Sequence, residues 1–334
     1  MKKVLVVLLA LVMVFSATLA LAEGPTLAFI CKDLSQEWFV GTSTAMLETA
    51  KARGANDVLM FDCGMSPDKY ITALDNAIAQ KVDVLIVCPP DQKLSQITVE
   101  RCAEAGIKVM ADDDGLIDEN GLHIAPALEL DAYKVGLGIG EYLGNYVLAS
   151  GTTDFAKVGY ICMTMSEVSS CVPRSTGAVD KFLELVPSFP ADKIIKADYD
   201  GTSDKGFNVA AATITANPDV DVWYVTAPND EGAQGATRAL EQAGKDKAAI
   251  VIGVGGYLAK DEFKKEFSCF KATAYIDPVL DGTIAANAAM DWIEKGTVPY
   301  AEYAKDGAAF GVYPFSATMV DATNYVEIMG AAAN

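Results

Sequence analysis

Short apolar runs alternate along the chain with longer stretches in which apolar residues recur every three to four positions. The runs TLAFIC (26–31), VLMFDC (58–63), VLIVCP (84–89) and IKVMAD (107–112) predict strands, and residues 38–53, 67–80 and 93–105 between them predict helices. The pattern then restarts. KVGYICM (157–163), KIIKA (193–197), DVWYVT (221–226), AIVIGV (249–254) and ATAYI (272–276) predict a second set of strands, with helices near 170–187, 203–216, 230–243 and 278–294. Strands that alternate with helices build parallel sheets through right-handed crossovers. Two such sets in succession predict an α/β protein of two Rossmann-like open parallel-sheet lobes.

Glycines do not convert these lobes into nucleotide sites. Gly136, Gly140 and Gly144 in KVGLGIGEYLG fall four apart, which on a helix makes one smooth face suited to close packing. Neither this segment nor GVGG at 253–256 completes a dinucleotide fingerprint, and a phosphate-binding G-x-x-x-x-G-K-[ST] does not occur.

The polar residues are informative by position. Lys32 follows the first strand, Cys88 ends the third and Asp112-Asp113-Asp114 ends the fourth. In the second set, Asn229-Asp230 follows VWYVT, Gly255-Gly256-Tyr257 follows AIVIGV, and Asp277 follows ATAYI. Ligands of open parallel sheets bind outside the carboxyl ends of the strands, so two facing lobes would hold a small molecule between them. Lys32, Gln36, Asp113, Arg174 and Asn229 can each form several hydrogen bonds, the chemistry that sugar hydroxyls require as both donors and acceptors. Trp38 and Phe39, adjacent in KDLSQEWF, either fill the core or supply a flat apolar wall for the C–H face of such a ligand. Asn229 or Asp230 serves equally well as a helix N-cap. DDDG lacks the alternating ligands of a calcium loop, and DYDGTSD (198–204) reads as a plain turn.

Composition narrows the classes. The N-terminus runs from Met1-Lys2-Lys3 through an apolar stretch to Ala20-Leu21-Ala22, the form of a cleaved secretory leader over residues 1–22. The mature chain is then expected outside the cytoplasm, in the periplasm, with about 310 residues, enough for two domains. The formal charge is −19, which repels phosphate backbones and argues against a nucleic-acid partner. Seven cysteines and no C-x-x-C point to buried thiols rather than a metal knuckle or redox pair. A single histidine, His123, and the lack of G-x-S-x-G or H-E-x-x-H give catalysis little support, so an enzyme is not expected. No cofactor or metal is expected.

The same residues, in order, carry a resemblance over nearly the whole mature chain. KDLSQEWF, VCPPDQKLS (87–95), ADDDG (111–115), SEVSSCVPRSTGAVD (166–180) and PNDEGAQGATRALEQAG (228–244) resemble the periplasmic monosaccharide-binding proteins of ABC importers, the type I periplasmic binding protein family, and most closely its arabinose-binding members. The resemblance implies sugar contacts from Lys32, Trp38, Phe39, Asp113, Arg174 and Asn229. It places Asp113 on the anomeric hydroxyl and Arg174 on the ring oxygen, with Cys88 and Ser170 lining the pocket. Gln36 stands where the family has glutamate, Leu130 where it has methionine, and Ile276, beside Asp277, where it has proline. A second pocket asparagine falls near Gly256 or Tyr257, where this chain has no amide. These departures leave the sugar open among aldoses such as arabinose and galactose.

The implied function is capture of a monosaccharide by hinge closure and delivery to an ABC permease, by a monomer. The expected lobes are residues 25–130 with 277–306, and 131–276 with 307–334, joined by three crossing segments. A sugar-sensing co-receptor for a chemoreceptor or sensor kinase would use the same pocket. A secreted carbohydrate-active enzyme would instead turn its sugar over. A cytoplasmic sugar-responsive repressor is disfavoured by the leader and the acidic charge.

Overall fold

The computed structural model describes residues 24–168, 170–305 and 307–333. The expected leader, residues 1–22, lies outside them. Among the described residues no helix is long and apolar enough to cross a membrane.

Two six-stranded sheets form the molecule. The first contains β1 (Thr26–Cys31), β2 (Asp57–Asp62), β3 (Val84–Val87), β4 (Lys108–Asp113), β5 (Ala127–Leu130) and β11 (Val312–Phe315), in the spatial order β11-β5-β4-β3-β1-β2 and parallel at every pairing. The second contains β6 (Val158–Thr164), β7 (Ile194–Asp198), β8 (Val222–Thr226), β9 (Ala249–Gly255), β10 (Phe270–Tyr275) and β12 (Thr318–Asp321), in the order β12-β10-β9-β8-β6-β7. Its edge strand β12 runs antiparallel to β10, and its other pairs are parallel. Central strands β3 and β9 are buried along their full length, which is why they read as unbroken apolar runs rather than as alternation.

The helices are α1 (Glu37–Ala52), α2 (Pro67–Ala79), α3 (Ser95–Ala105), α4 (Ala132–Ser150), α5 (Cys171–Leu185), α6 (Ser203–Ala216), α7 (Asp230–Gln242), α8 (Ala259–Phe263), α9 (Pro278–Glu294) and α10 (Tyr325–Met329). Local chemistry sets their ends. Ser66 caps α2 by accepting from Lys69 N, with Pro67 in the first turn, and α3 and α4 each stop at a left-handed glycine, Gly106 and Gly151. The glycine face of α4 lies directly on α5. A Cβ at Gly136 would overlap the Arg174 carbonyl, and one at Gly140 would overlap the Ala178 carbonyl. Close packing, not phosphate binding, accounts for these glycines.

The chain passes between the sheets three times. β5 ends in the first sheet, and α4 then packs against α5 beside the second. β10 ends in the second sheet, and α9 returns to pack on α1. The third passage differs from the expected boundary at 306/307. β11 still belongs to the first sheet, and the change to the second lies in the two residues between Phe315 and Thr318. β11 is four residues long and carries Pro314, a sequence that does not read as a strand. It is tolerated because an edge strand leaves one side of its backbone without ladder bonds. β5 and β12, also four residues each, were likewise not expected from sequence.

Candidate functional site

The loops after the strands of both sheets meet around one cavity with an empty volume of about 600 Å³ that opens to solvent. The first lobe contributes Lys32, Gln36, Trp38, Phe39, Met65 and Asp113 to its wall. The second lobe contributes Ser170, Arg174, Asn229 and Tyr257 among others, and Ile276 lies at the crossing between them.

A buried ionic cluster forms the polar floor. Lys32 follows β1 and its ammonium bonds to Asp114 at the end of β4, with Asp113 at 3.7 Å. Burial works against the Lys32 charge, but the carboxylate of Asp113 beside it counters this, and the Lys32 pKa is raised. Asp113 itself is held in a left-handed backbone conformation at φ 64°. Such backbone is uncommon for a residue other than glycine, and asparagine and aspartate tolerate it best. The next residue is thereby turned toward Lys32 while Asp113 faces the cavity.

Arg174 sits in the first turns of α5 and enters from the second lobe. Its Nη1 donates to the Pro228 carbonyl at 3.0 Å, and its Nη2 lies 3.8 Å from Asp113 Oδ1. Its Nε is buried without a hydrogen-bond partner among the described residues. Asn229 combines both roles that its sequence position allowed. As the cap of α7 its Oδ1 accepts from Gly232 N at 2.9 Å and from the Tyr199 hydroxyl, and its Nδ2 donates to Gly201 O at 2.8 Å, yet the side chain also lines the cavity. One amide hydrogen remains for a ligand.

Trp38 and Phe39 resolve the two readings of their sequence position in the same way. Both are buried in the first turn of α1, stacked edge-to-face with centroids 4.9 Å apart, and both face the cavity. The indole N–H of Trp38 is buried and has no partner among the described residues.

Nine of the twelve residues expected at a site line this cavity: Lys32, Gln36, Trp38, Phe39, Asp113, Ser170, Arg174, Asn229 and Tyr257. Three do not. Cys88 lies one layer behind, its thiol 3.7 Å from Asp113 Oδ2 and 3.9 Å from Asp114 Oδ2, so it backs the carboxylates instead of meeting a ligand. Leu130 ends β5 inside the core. Asp277 is the cap of α9, accepting from Val279 N at 2.9 Å and Leu280 N at 3.1 Å.

Sequence reasoning missed Met65, Met165, Val168, Cys171, Val254 and Gly255, and did not place Ile276 in its site set. All but Cys171, which opens α5, end strands or lie in the loops that follow them, so the positional rule that found the polar residues also covered most of them. Their apolar character gave no reason to separate them from core. It also missed Asp230, which is wholly buried and accepts from Gly256 N at 2.8 Å, Leu258 N at 3.1 Å, Ala259 N at 3.1 Å and Thr273 Oγ1 at 2.7 Å. These bonds fix the loop that presents Tyr257.

The arrangement suits binding more than chemistry. The Cys88, Asp113 and Asp114 ligand atoms lie within 4.8 Å of one another, as a cation site would need, but the Lys32 ammonium already takes that place. His123 pairs with Glu129 at 2.8 Å and is not part of the cavity wall. Asp200 closes its own turn by accepting from Thr202 N and Oγ1, as expected of a plain turn. All seven cysteines are buried and unpaired.

Comparison with known proteins gives a consistent set. The periplasmic binding protein domain family matches residues 27–297. An ABC transporter L-arabinose-binding periplasmic protein of Azospirillum brasilense is 30% identical over 298 residues, covering 86% of this chain and 87% of that one. The L-arabinose-binding periplasmic protein of Escherichia coli K12 is 26% identical over 287 residues, covering 84% and 85%. Among solved structures, an ABC transporter periplasmic solute binding protein from Actinobacillus succinogenes with bound D-allose superimposes with a TM-score of 0.74 at 25% identity, covering 90% of this chain and all of that one.

Proposed function

Since the chain belongs to the periplasmic binding protein domain family, we propose that it captures a neutral monosaccharide between its lobes and delivers it to the permease of an ABC importer. One observation carries the reading. Asp113 from the first lobe and Arg174 from the second converge on a single cavity walled by Trp38 and Phe39, with the Arg174 Nε lacking a partner among the described residues.

The charges favour an uncharged ligand. Lys32 is matched by Asp114, and Arg174 faces Asp113. A ligand with net charge would leave one buried charge uncompensated. A sugar hydroxyl instead donates to Asp113 while an adjacent oxygen accepts from Arg174 Nε and Nη2, and the remaining Asn229 N–H serves a further oxygen. In the pose we favour, Asp113 takes the anomeric hydroxyl and Arg174 the ring oxygen, with the sugar's C–H face against Trp38.

Closure follows from the division of these groups between lobes. A sugar resting on one lobe gains the second lobe's contacts only when the cleft shuts, and that difference shifts the equilibrium toward the closed form. A permease reading the closed shape would then recognise the loaded protein. The same account has the chain acting as a monomer in the periplasm after loss of residues 1–22, without turning its ligand over.

A thermal-shift panel tests the reading, because a ligand bound only by the folded chain raises Tm. L-Arabinose, D-ribose, D-allose, D-galactose and D-xylose form the first panel. A rise with at least one sugar, abolished by Arg174→Ala, is expected. No rise with any of them would overturn the assignment.

A further inference from the structure

A second group of polar side chains lies in the first lobe, outside the cavity wall. Thr42 is one turn beyond Trp38 on α1, Asp112 precedes Asp113 on β4, Asp281 lies in the first turn of α9, and Tyr300 belongs to the segment between α9 and β11. Thr42 and Asp112 are wholly buried, and Asp281 and Tyr300 keep only 2% and 7% of their surface exposed.

Backbone packing brings the four together. α9 lies so close on α1 that a Cβ at Gly282 would overlap the Thr42 carbonyl, which sets Asp281 beside Thr42. The Asp281 carboxyl comes within reach of both the Thr42 hydroxyl and the Asp112 carboxyl. Tyr300 is held at φ 58°, uncommon for an aromatic residue, with its ring centroid 5.6 Å from that of Tyr313, and the two carboxyls are the charged groups that act on it most.

These groups approach one another without bonding. Both oxygens of Asp112, Oδ2 of Asp281, Oγ1 of Thr42 and the Tyr300 hydroxyl complete no hydrogen bond among the described residues. Three other buried side-chain atoms share that condition, and two of them belong to Trp38 and Arg174 of the cavity wall. Unpartnered polar atoms thus gather in two places, one of which is the candidate ligand site. Buried polar groups are costly unless something satisfies them. The charges that act on the Asp112–Asp281 pair are those of the two groups themselves and of Asp113, all negative. A proton shared by the carboxyls would join them to each other and leave the two hydroxyls unused. A cation engages all four side chains.

We propose that Thr42, Asp112, Asp281 and Tyr300 form a buried site for one calcium ion, independent of any sugar. Every donor is an oxygen, the set that hard cations take. Two carboxylates match a divalent charge, whereas sodium would leave one of them uncompensated. Magnesium demands a near-ideal octahedron and usually keeps several waters, which a site this buried does not suit. Calcium accepts irregular shells of protein oxygens and bidentate carboxylates, and both oxygens of Asp112 are available for that. The ion would tie together the helix that carries Trp38, the strand that carries Asp113 and the helix returning from the second lobe. Without it the carboxyls hold a proton instead, which the ion displaces.

The test uses the mature chain after chelator treatment, at pH 8.5, where protons compete least. Tm is measured with about 5 mM calcium, above the range of about 10⁻⁴–10⁻³ M in which extracellular calcium modules bind, and with magnesium or sodium at matched ionic strength. Calorimetric titration with calcium chloride gives the stoichiometry. A rise of several degrees with calcium, a smaller one with magnesium, none with sodium, and one calcium per chain are expected. Asp281→Asn and Asp112→Asn keep the side-chain size and should lose both the heat and the rise. Tyr300→Phe removes a single donor and should weaken binding severalfold, a readout that holds even if an Asn variant fails to fold. Absence of heat or of a Tm rise in wild type would overturn the inference. So would an equal response to magnesium, or a calcium response in Asp281→Asn and Tyr300→Phe equal to that of wild type, which would place the ion on the acidic surface. No sugar enters these measurements, so the calcium site and the sugar assignment stand or fall separately.

Discussion

Asp113 Oδ1 lies 3.8 Å from Arg174 Nη2, although one residue ends a strand of the first sheet and the other belongs to a helix packed beside the second. The separation is longer than a hydrogen bond. The pair is thus poised rather than joined, with room for a hydroxyl to bridge it. Removing either side chain leaves the other's polar atoms and the ligand's oxygens unpaired in a buried place. Arg174→Ala and Asp113→Ala are each expected to weaken monosaccharide binding by about 2 kcal/mol or more. Calorimetry with the tightest-binding sugar of the panel checks this, and unchanged affinity would remove the residue from the site.

Asp230 makes a separate prediction about the loop behind the cavity. It satisfies three backbone N–H groups and the Thr273 hydroxyl, and Asp230→Ala strands them in the interior. The expected loss of stability is about 2–3 kcal/mol, read by urea denaturation. Affinity should fall as well, because the Tyr257 loop loses its anchor. Full stability in the variant would contradict this.

Trp38 offers an optical reading. The chain has three tryptophans: Trp38 on the cavity wall, Trp223 wholly buried in the second lobe, and Trp292 on α9. A bound sugar covering Trp38 should change the emission. Trp38→Phe keeps a ring and should remove most of that change while weakening binding by about 1–2 kcal/mol. A signal undiminished in the variant would place the ligand elsewhere.

The sequence made the sheets and the polar half of the cavity visible for one reason. Strand ends in parallel sheets are where ligands bind, and Lys32, Asp113, Asn229 and Tyr257 all follow or end a strand. Arg174 was visible through its place in the fourth of the five resembling segments. Position alone could not say which way a strand-end side chain points, and so Cys88 and Asp277, both at strand ends, turn out to back the site or cap a helix. The apolar wall was hidden for the opposite reason. Met165, Val254 and Ile276 are indistinguishable from core until the second lobe's cleft face is known. Asp230 was hidden because its partners lie 26 to 43 residues away. The late crossing was hidden by Pro314, whose edge position only the assembled sheet reveals.

The buried pair Asp112 and Asp281 predicts a pH dependence of stability. Burial first, and the negative charge of neighbouring Asp113 second, push Asp112 up to about 8. Burial, then Asp112 and Asp113, raise Asp281 well above the usual carboxyl range. The folded chain therefore holds protons that the unfolded chain has released above about pH 4. Stability should fall as pH rises from that point through about 8, the reverse of the trend from salt-bridged carboxylates. Asp281→Asn should flatten the fall in Tm between pH 6 and 8.5, and an unchanged slope would contradict this account. Burial also pushes the Glu231 carboxyl up to about 7, so Glu231→Gln should flatten the same fall further.

The central claim is that both lobes grip one neutral sugar, and small-angle scattering on the mature chain tests it most directly. With the sugar that raises Tm, the wild-type radius of gyration should fall relative to the unliganded chain, and Arg174→Ala should show no such compaction at the same sugar concentration. A sugar that binds tightly without compacting the wild type, or that compacts both proteins alike, would contradict the account.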